Sequence, residues 1–233
     1  MSDNEEEQEQ DKIECTCNYG GITQESKFWD DLEDLGEQEL KRNKIVKVKV
    51  FTGLYNSKQA IFGLGFTYKN IINGKTREVE HKGSKDFEDV KEFELGPGEY
   101  LTDFHIRFPN EAEYISQIGF SSTKNHFLVP EKTEDGEDKT IIQNGGNNIL
   151  VGTLGCVNEK LDATGCYFIS KKNFFKLSLL GFLLVKHKIK KDKKFKEEWD
   201  NKYKNLSIEY QYIWRAVNLP DTSFSCILKY CFM

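Results

Sequence analysis

The clearest pattern in the chain begins at Ile45. In Ile45-Val46-Lys47-Val48-Lys49-Val50-Phe51, apolar residues alternate with lysine, and most of the apolar ones are β-branched. Alternation with period two sends the two sets to opposite faces of a strand, so this segment predicts a half-buried strand. Ala60 to Tyr68 predicts a second strand, with Gly63 and Gly65 set among large apolar residues. Asn73-Gly74 follows, a dipeptide that readily takes the positive φ of a tight hairpin turn, and Thr76 to His81 is the returning strand. Further strands are predicted at 90–95, 100–108, 114–121, 127–129, 140–142, 149–154 and 163–169. They are separated by Gly96-Pro97-Gly98, by the polar loop Glu131 to Lys139, and by Asn144-Gly145-Gly146-Asn147-Asn148. Short, closely spaced strands with glycine-rich turns predict an all-β domain. Helical periodicity is nearly absent between 45 and 169; one short helical turn is expected within Phe28 to Leu40.

The ends read differently. Residues 1–14 are acidic and almost free of apolar side chains, so they cannot bury enough surface to offset the entropy of ordering. A disordered tail is predicted there. Phe174 to Val185 is apolar but only twelve residues long, too short to span a bilayer and better suited to a packed or interfacial segment. Beyond a lysine-rich stretch, Phe195, Trp199, Tyr203, Leu206, Tyr210, Ile213 and Val217 recur at spacings of three and four. That spacing predicts an amphipathic helix ending before Pro220. The expected organisation is an acidic tail (1–14), an all-β domain (15–169) and a basic and apolar C-terminal extension (170–233), partly helical or disordered.

Charge sharpens this division. The 233 residues carry a formal net charge of −5, but residues 1–169 hold 19 basic and 32 acidic residues, whereas residues 170–233 hold 14 and 6. Opposed charge suggests parts that touch each other or serve different partners. The extension suits an anionic membrane surface, a protein partner, or the chain's own acidic segment before residue 40. Nucleic acid is not expected, because the whole chain is acidic and its lysines are not interleaved with stacking aromatics. The start, Met1-Ser2-Asp3-Asn4-Glu5-Glu6-Glu7, lacks the basic and apolar stretches of a secretory signal, so a cytoplasmic or nuclear setting is expected, with the six cysteines as free thiols. No cysteine pair has zinc-like C-x2-C spacing, and Glu134 to Asp138 lacks the EF-hand pattern, so no metal or other cofactor is expected. The motifs of serine hydrolases, P-loop enzymes and zinc proteases are absent, and the expectation is a protein without catalysis. His105 and His126 are expected to be ordinary strand or surface histidines, and the Gly-Pro-Gly turn and the Thr123 to His126 loop plain hairpin turns.

The turn sequences carry a more specific signal. Tyr19-Gly20-Gly21 is followed by Phe28-Trp29-Asp30-Asp31, then by Ile61-Phe62-Gly63-Leu64-Gly65-Phe66-Thr67-Tyr68 and Phe93-Glu94-Leu95-Gly96-Pro97-Gly98-Glu99-Tyr100-Leu101. Ile115 to Ser122, Gly145-Gly146, Val151-Gly152-Thr153-Leu154-Gly155 and Leu161-Asp162-Ala163-Thr164-Gly165 complete the series. In this order the blocks resemble a jacalin-type lectin domain over residues 19–168. The resemblance implies a β-prism of three four-stranded sheets, and metal-independent, non-catalytic binding of mannose- or galactose-type sugars.

It also implies a site. In the family the opening Gly-Gly loop and a closing Gly-x-x-x-Asp loop hold the sugar; the second aligns with Asn158-Glu159-Lys160-Leu161-Asp162. Asp162 is then the acceptor of sugar hydroxyls, since a carboxylate accepts two such bonds and charged acceptors are the stronger ones. The backbone N–H groups of Glu159 and Lys160 are donors, and Gly20 and Gly21 permit close approach. Asn158 stands where the family has glycine, a substitution that tolerates left-handed φ; Glu159 stands where an aromatic or small residue is common. Two readings stay open: a working carbohydrate site, or a prism whose site is degenerate and which serves as a protein- or membrane-interaction scaffold. Homo-oligomer formation is also left open.

Overall fold

The computed structural model describes residues 13–16, 19–22, 24–84, 87–109, 114–130 and 138–203. Three short strands open the chain: β1 (Glu14–Cys15), β2 (Tyr19–Gly20) and β3 (Lys27–Asp30). Two short helices, α1 (Asp31–Leu35) and α2 (Glu37–Leu40), follow. Then come β4 (Asn43–Tyr55), β5 (Lys58–Asn70), β6 (Thr76–Lys82), β7 (Asp89–Glu94), β8 (Leu101–Pro109), β9 (Gln117–Ser122), β10 (His126–Val129), β11 (Asp138–Asn144), β12 (Asn148–Val157) and β13 (Leu161–Ser170). Helices α3 (Lys171–Lys191) and α4 (Lys193–Tyr203) close the described chain.

The strands form three antiparallel sheets. One runs β6-β5-β4-β7, one β10-β9-β8-β11, and one β1-β13-β12-β3 with β2 also paired to β13. Because β1 and β2 share one edge of β13, every sheet is four positions wide, as the β-prism requires. Each segment predicted as a strand from Ile45 onward contains one, most of them longer by one to four residues at an end; Leu95, Tyr100 and residues 114–116 lie outside theirs.

Alternation explains which faces meet. On β4, Val48 and Val50 are buried, while Lys49 pairs outward with Glu78 and with Glu80 at 2.8 Å, and Lys47 with Glu92 at 2.5 Å. The inward faces supply the aromatic core. Phe66 of β5 meets Phe120 of β9 edge-on at 6.1 Å, and Phe104 of β8 packs on Phe120 at 4.9 Å; all three are fully buried. Burial of such side chains stabilises by about 1.5–3 kcal/mol each.

The β5–β6 hairpin does turn at Asn73-Gly74, but through the five residues 71–75 and with positive φ at Gly74 (72°) and not at Asn73. The β4–β5 turn uses positive φ at Asn56 and Ser57 without a glycine, so its hairpin is not legible as a glycine signal. The helical turn expected before Leu40 is shorter than its window. Phe28 to Asp30 are strand, and the Asp30 carboxylate accepts the N–H of Leu32 at 2.8 Å, capping α1.

The chain divides into two compact units, Met1–Lys176 and Leu177–Met233. In the first, Phe174 is buried with its ring 5.3 Å from Tyr100. In the second, Asp192 accepts the N–H of Phe195 at 3.0 Å, and the Lys188 ammonium lies 4.4 Å from the Phe195 ring centre. No helix among the described residues is long and apolar enough to cross a membrane. The periodic positions from Leu206 to Val217 lie outside the described residues, as do residues 1–12 of the acidic segment and residues 131–137 of the polar loop.

Candidate functional site

The turn between β12 and β13 carries the segment from Asn158 to Asp162, and strand pairing brings the opening glycines to it. Gly20 lies opposite Ala163, and the Gly21 N–H donates to the Asp162 carbonyl at 3.1 Å. Residues 20–21 and 158–162, far apart in the chain, therefore meet at one end of the β13 sheet. The turn itself is tight: the Asn158 N–H donates to the Lys160 carbonyl at 3.0 Å.

Asn158 does not use the left-handed conformation expected of it. Among the described residues only Asn56 and Ser57 have positive φ without being glycine. The turn is held from outside instead, by the Ser84 N–H, which donates to the Asn158 carbonyl at 2.6 Å. Gly83 packs flat on the Glu159–Lys160 peptide: a Cβ there would lie 2.3 Å from the Glu159 oxygen and 2.7 Å from the Lys160 nitrogen. One side of that expected donor peptide thus faces the chain after β6.

Asp162 is 1% exposed and both its oxygens are engaged. Oδ1 accepts from the Lys160 ammonium at 2.9 Å, and Oδ2 from the Ser26 hydroxyl at 2.8 Å. Lys160 is 6% exposed, and its ammonium also lies 5.0 Å from the centre of the Tyr55 ring. Cys156 lies within the same electrostatic environment: burial pushes its thiol up, and the Asp162 charge adds to this. Around this closed pair the surface is open, with Gly21, Ile22 and Glu159 exposed.

A family model for the jacalin-like lectin domain matches residues 18–167, well over half of the chain. The chain belongs to this family. Solved structures agree on the fold. The wild-type Malaysian banana lectin superposes with a TM-score of 0.52 at 18% identity, over 69% of this chain and 100% of that one. A Calystegia sepium agglutinin gives 0.52 at 17%, over 69% and 98%. A jacalin-related lectin from Ananas comosus, described as mannose-binding, gives 0.50 at 18%, over 68% and 98%. No curated protein matches the chain by sequence.

Elsewhere in the jacalin-like domain, Asp31 forms a second buried polar cluster. Its Oδ2 accepts from Tyr68, from the Thr153 N–H at 2.8 Å and from the Thr153 hydroxyl at 2.9 Å. His81 Nε2 faces Oδ1 at 3.6 Å, and its ring stacks on Trp29 at 4.5 Å. Burial, and then the Asp31 charge, push the Tyr68 hydroxyl well above its ordinary pKa. Gly155 makes room for Trp29, since a Cβ there would lie 2.4 Å from the indole.

The remaining sequence candidates form local networks. Glu99 closes the Gly-Pro-Gly turn by accepting the Gly96 N–H at 2.9 Å, and it ties this turn to the next by accepting from Ser122 and from Asn125 at 2.8 Å. Lys44 sits under the same turn, donating to the Gly96 carbonyl at 3.3 Å. Burial, with Lys69 next, lowers its pKa to about 8. His105 and His126 are not isolated: the Ser121 hydroxyl lies 3.0 Å from one ring and 2.9 Å from the other. No group of three or more His, Cys, Asp or Glu side chains among the described residues converges as a metal cage.

The sequence motifs mark the two loops that the fold brings together, but not Ser26, Tyr55 or the Gly83–Ser84 cover beside them. No local signal marks Ser26, which is distant in the chain.

Proposed function

We propose that the jacalin-like domain is a non-catalytic, metal-independent carbohydrate-binding module, taking a mannose- or galactose-type ring where Gly20–Gly21 meets Asn158–Asp162. The observation that carries this reading is the pairing of the two loops through the Gly21 N–H and the Asp162 carbonyl at 3.1 Å. A sugar ring presents neighbouring hydroxyls, which need fixed acceptors and donors and a close backbone. Asp162 supplies the charged acceptor, the 158–160 turn the backbone groups, and the glycines the space. A glycan array with the full chain tests the reading. Binding to one class of hexose, lost in Asp162→Ala with the fold retained, is the expected result; silence across the array at high protein concentration defeats it.

One observation favours a second reading. With both carboxylate oxygens engaged inside the protein, the site is degenerate and the prism serves as a scaffold for a protein or membrane partner. Flotation with anionic liposomes, with and without residues 177–233, tests the membrane form. Binding that disappears with the segment supports it, and equal absence of binding removes it.

A further inference from the structure

Lys160 holds one of the two Asp162 oxygens that the proposed use requires, and Ser26 holds the other. The Lys160 ammonium lies 2.9 Å from Oδ1, where a sugar hydroxyl would donate, and Ser26 Oγ lies 2.8 Å from Oδ2. The pair is not a surface contact, because the two side chains are 8% and 1% exposed. Tyr55 flanks the ammonium at 5.0 Å, and Gly83 and Ser84 brace the turn that carries it. Yet Gly21, Ile22 and Glu159 beside it are exposed, so the pair lies one layer beneath solvent.

We propose that Lys160 is an internal competitor for the sugar and sets the affinity of this site. The inference rests on the reading of Asp162 as the hydroxyl acceptor. A charge-assisted bond from an ammonium is about twice as strong as one between neutral groups, so a neutral hydroxyl does not displace Lys160 on equal terms. Exchange is nevertheless open to it, because the lysine stem is flexible and the ammonium gains hydration on reaching water. The domain therefore holds neutral sugars weakly, with one step of exchange, ammonium out and hydroxyl in, inside every binding event. The identity of residue 160, two positions before the aspartate, tunes the site without altering the prism.

The test compares the full-length wild type with Lys160→Gln by calorimetric titration of free mannose and galactose. Lys160→Gln keeps a neutral donor toward Asp162. At least a tenfold tighter Kd in Lys160→Gln, abolished when Asp162→Asn is added, is the expected result. It also supports the inference if the wild type shows no binding and the variant does. Wild-type binding that is equal or tighter overturns the inference and leaves the carbohydrate reading standing, provided Asp162→Ala loses it. No binding by either protein overturns both. If Lys160→Gln fails to fold, the wild type decides by NMR of its lysine ammonium groups. The Lys160 signal, protected in the free protein, is lost as sugar saturates; a signal unchanged at saturation overturns the inference.

Discussion

Asp31 and Asp162 are both 1% exposed, Asp162 on β13 and Asp31 at the start of the helix that leaves β3 of the same sheet, yet they are held in opposite ways. Asp31 is bound by neutral donors, the Tyr68 hydroxyl and the backbone and hydroxyl of Thr153, from strands of two sheets. Those donors are parts of the core and cannot leave. Asp162 is bound by a lysine two residues away and by a serine from the incoming chain, at a turn with exposed neighbours. On the proposed reading of Asp162 as a sugar acceptor, burial alone therefore does not separate a structural carboxylate from a functional one. What separates them is whether the partner can be exchanged without opening the core.

The comparison can be broken most forcefully at the ion pair. Asp162→Ala leaves a buried ammonium unpaired and is expected to reduce stability by about 3–5 kcal/mol in urea unfolding. The double change Lys160→Met with Asp162→Val should recover most of that loss, since an apolar pair of closer volume replaces a buried ion pair at little cost. Failure to recover would mean that Asp162 does more for the fold than hold Lys160. Asp31→Asn should come next, at about 2–3 kcal/mol, because donors that converge on a carboxylate then face an amide. Unlike the Asp162 changes, it should leave sugar binding unchanged wherever the protein stays folded, and altered binding would dissolve the distinction drawn here. Gly83→Ala should destabilise by about 1–3 kcal/mol, as its Cβ meets backbone at 2.3 Å that no rotamer change can relieve. It should also loosen the 158–160 turn, which amide hydrogen exchange at Lys160 would register as faster exchange.

The smallest effect is expected at His105, remote from both aspartates. Burial, and then His126, hold its pKa below the ordinary value. The unfolded chain thus binds the proton more readily, so stability is full above about pH 6.5 and falls as pH drops from there toward the folded-state pKa. Urea midpoints at pH 7.5 and 5.5 should differ less in His105→Gln than in the wild type; an equal difference would remove His105 as the cause.

Much of this architecture was legible because it depends on local alternation and turn chemistry. The lysine-valine alternation from Ile45 specifies which face of β4 is buried, and Asn73-Gly74 marks the turn between β5 and β6. Edge strands β1 to β3 were not legible: they are two to four residues long and exist only because β12 and β13 provide backbone partners. The β4–β5 turn was missed because its positive φ values fall on Asn56 and Ser57. At the candidate site, the Gly-Gly and Asp162 loops are legible as motifs, whereas the state of the Asp162 carboxylate is not.

By itself, the amino-acid order determined the strand pattern, the turns that order the strands and the family signature, all short-range properties of backbone geometry and apolar spacing. Only the tertiary structure decided what surrounds each carboxylate. Ser26 reaches Asp162 across 136 positions, and Thr153 reaches Asp31 across 122. Electrostatic strength depends on distance and desolvation in space, and neither is written in the spacing of residues along the chain.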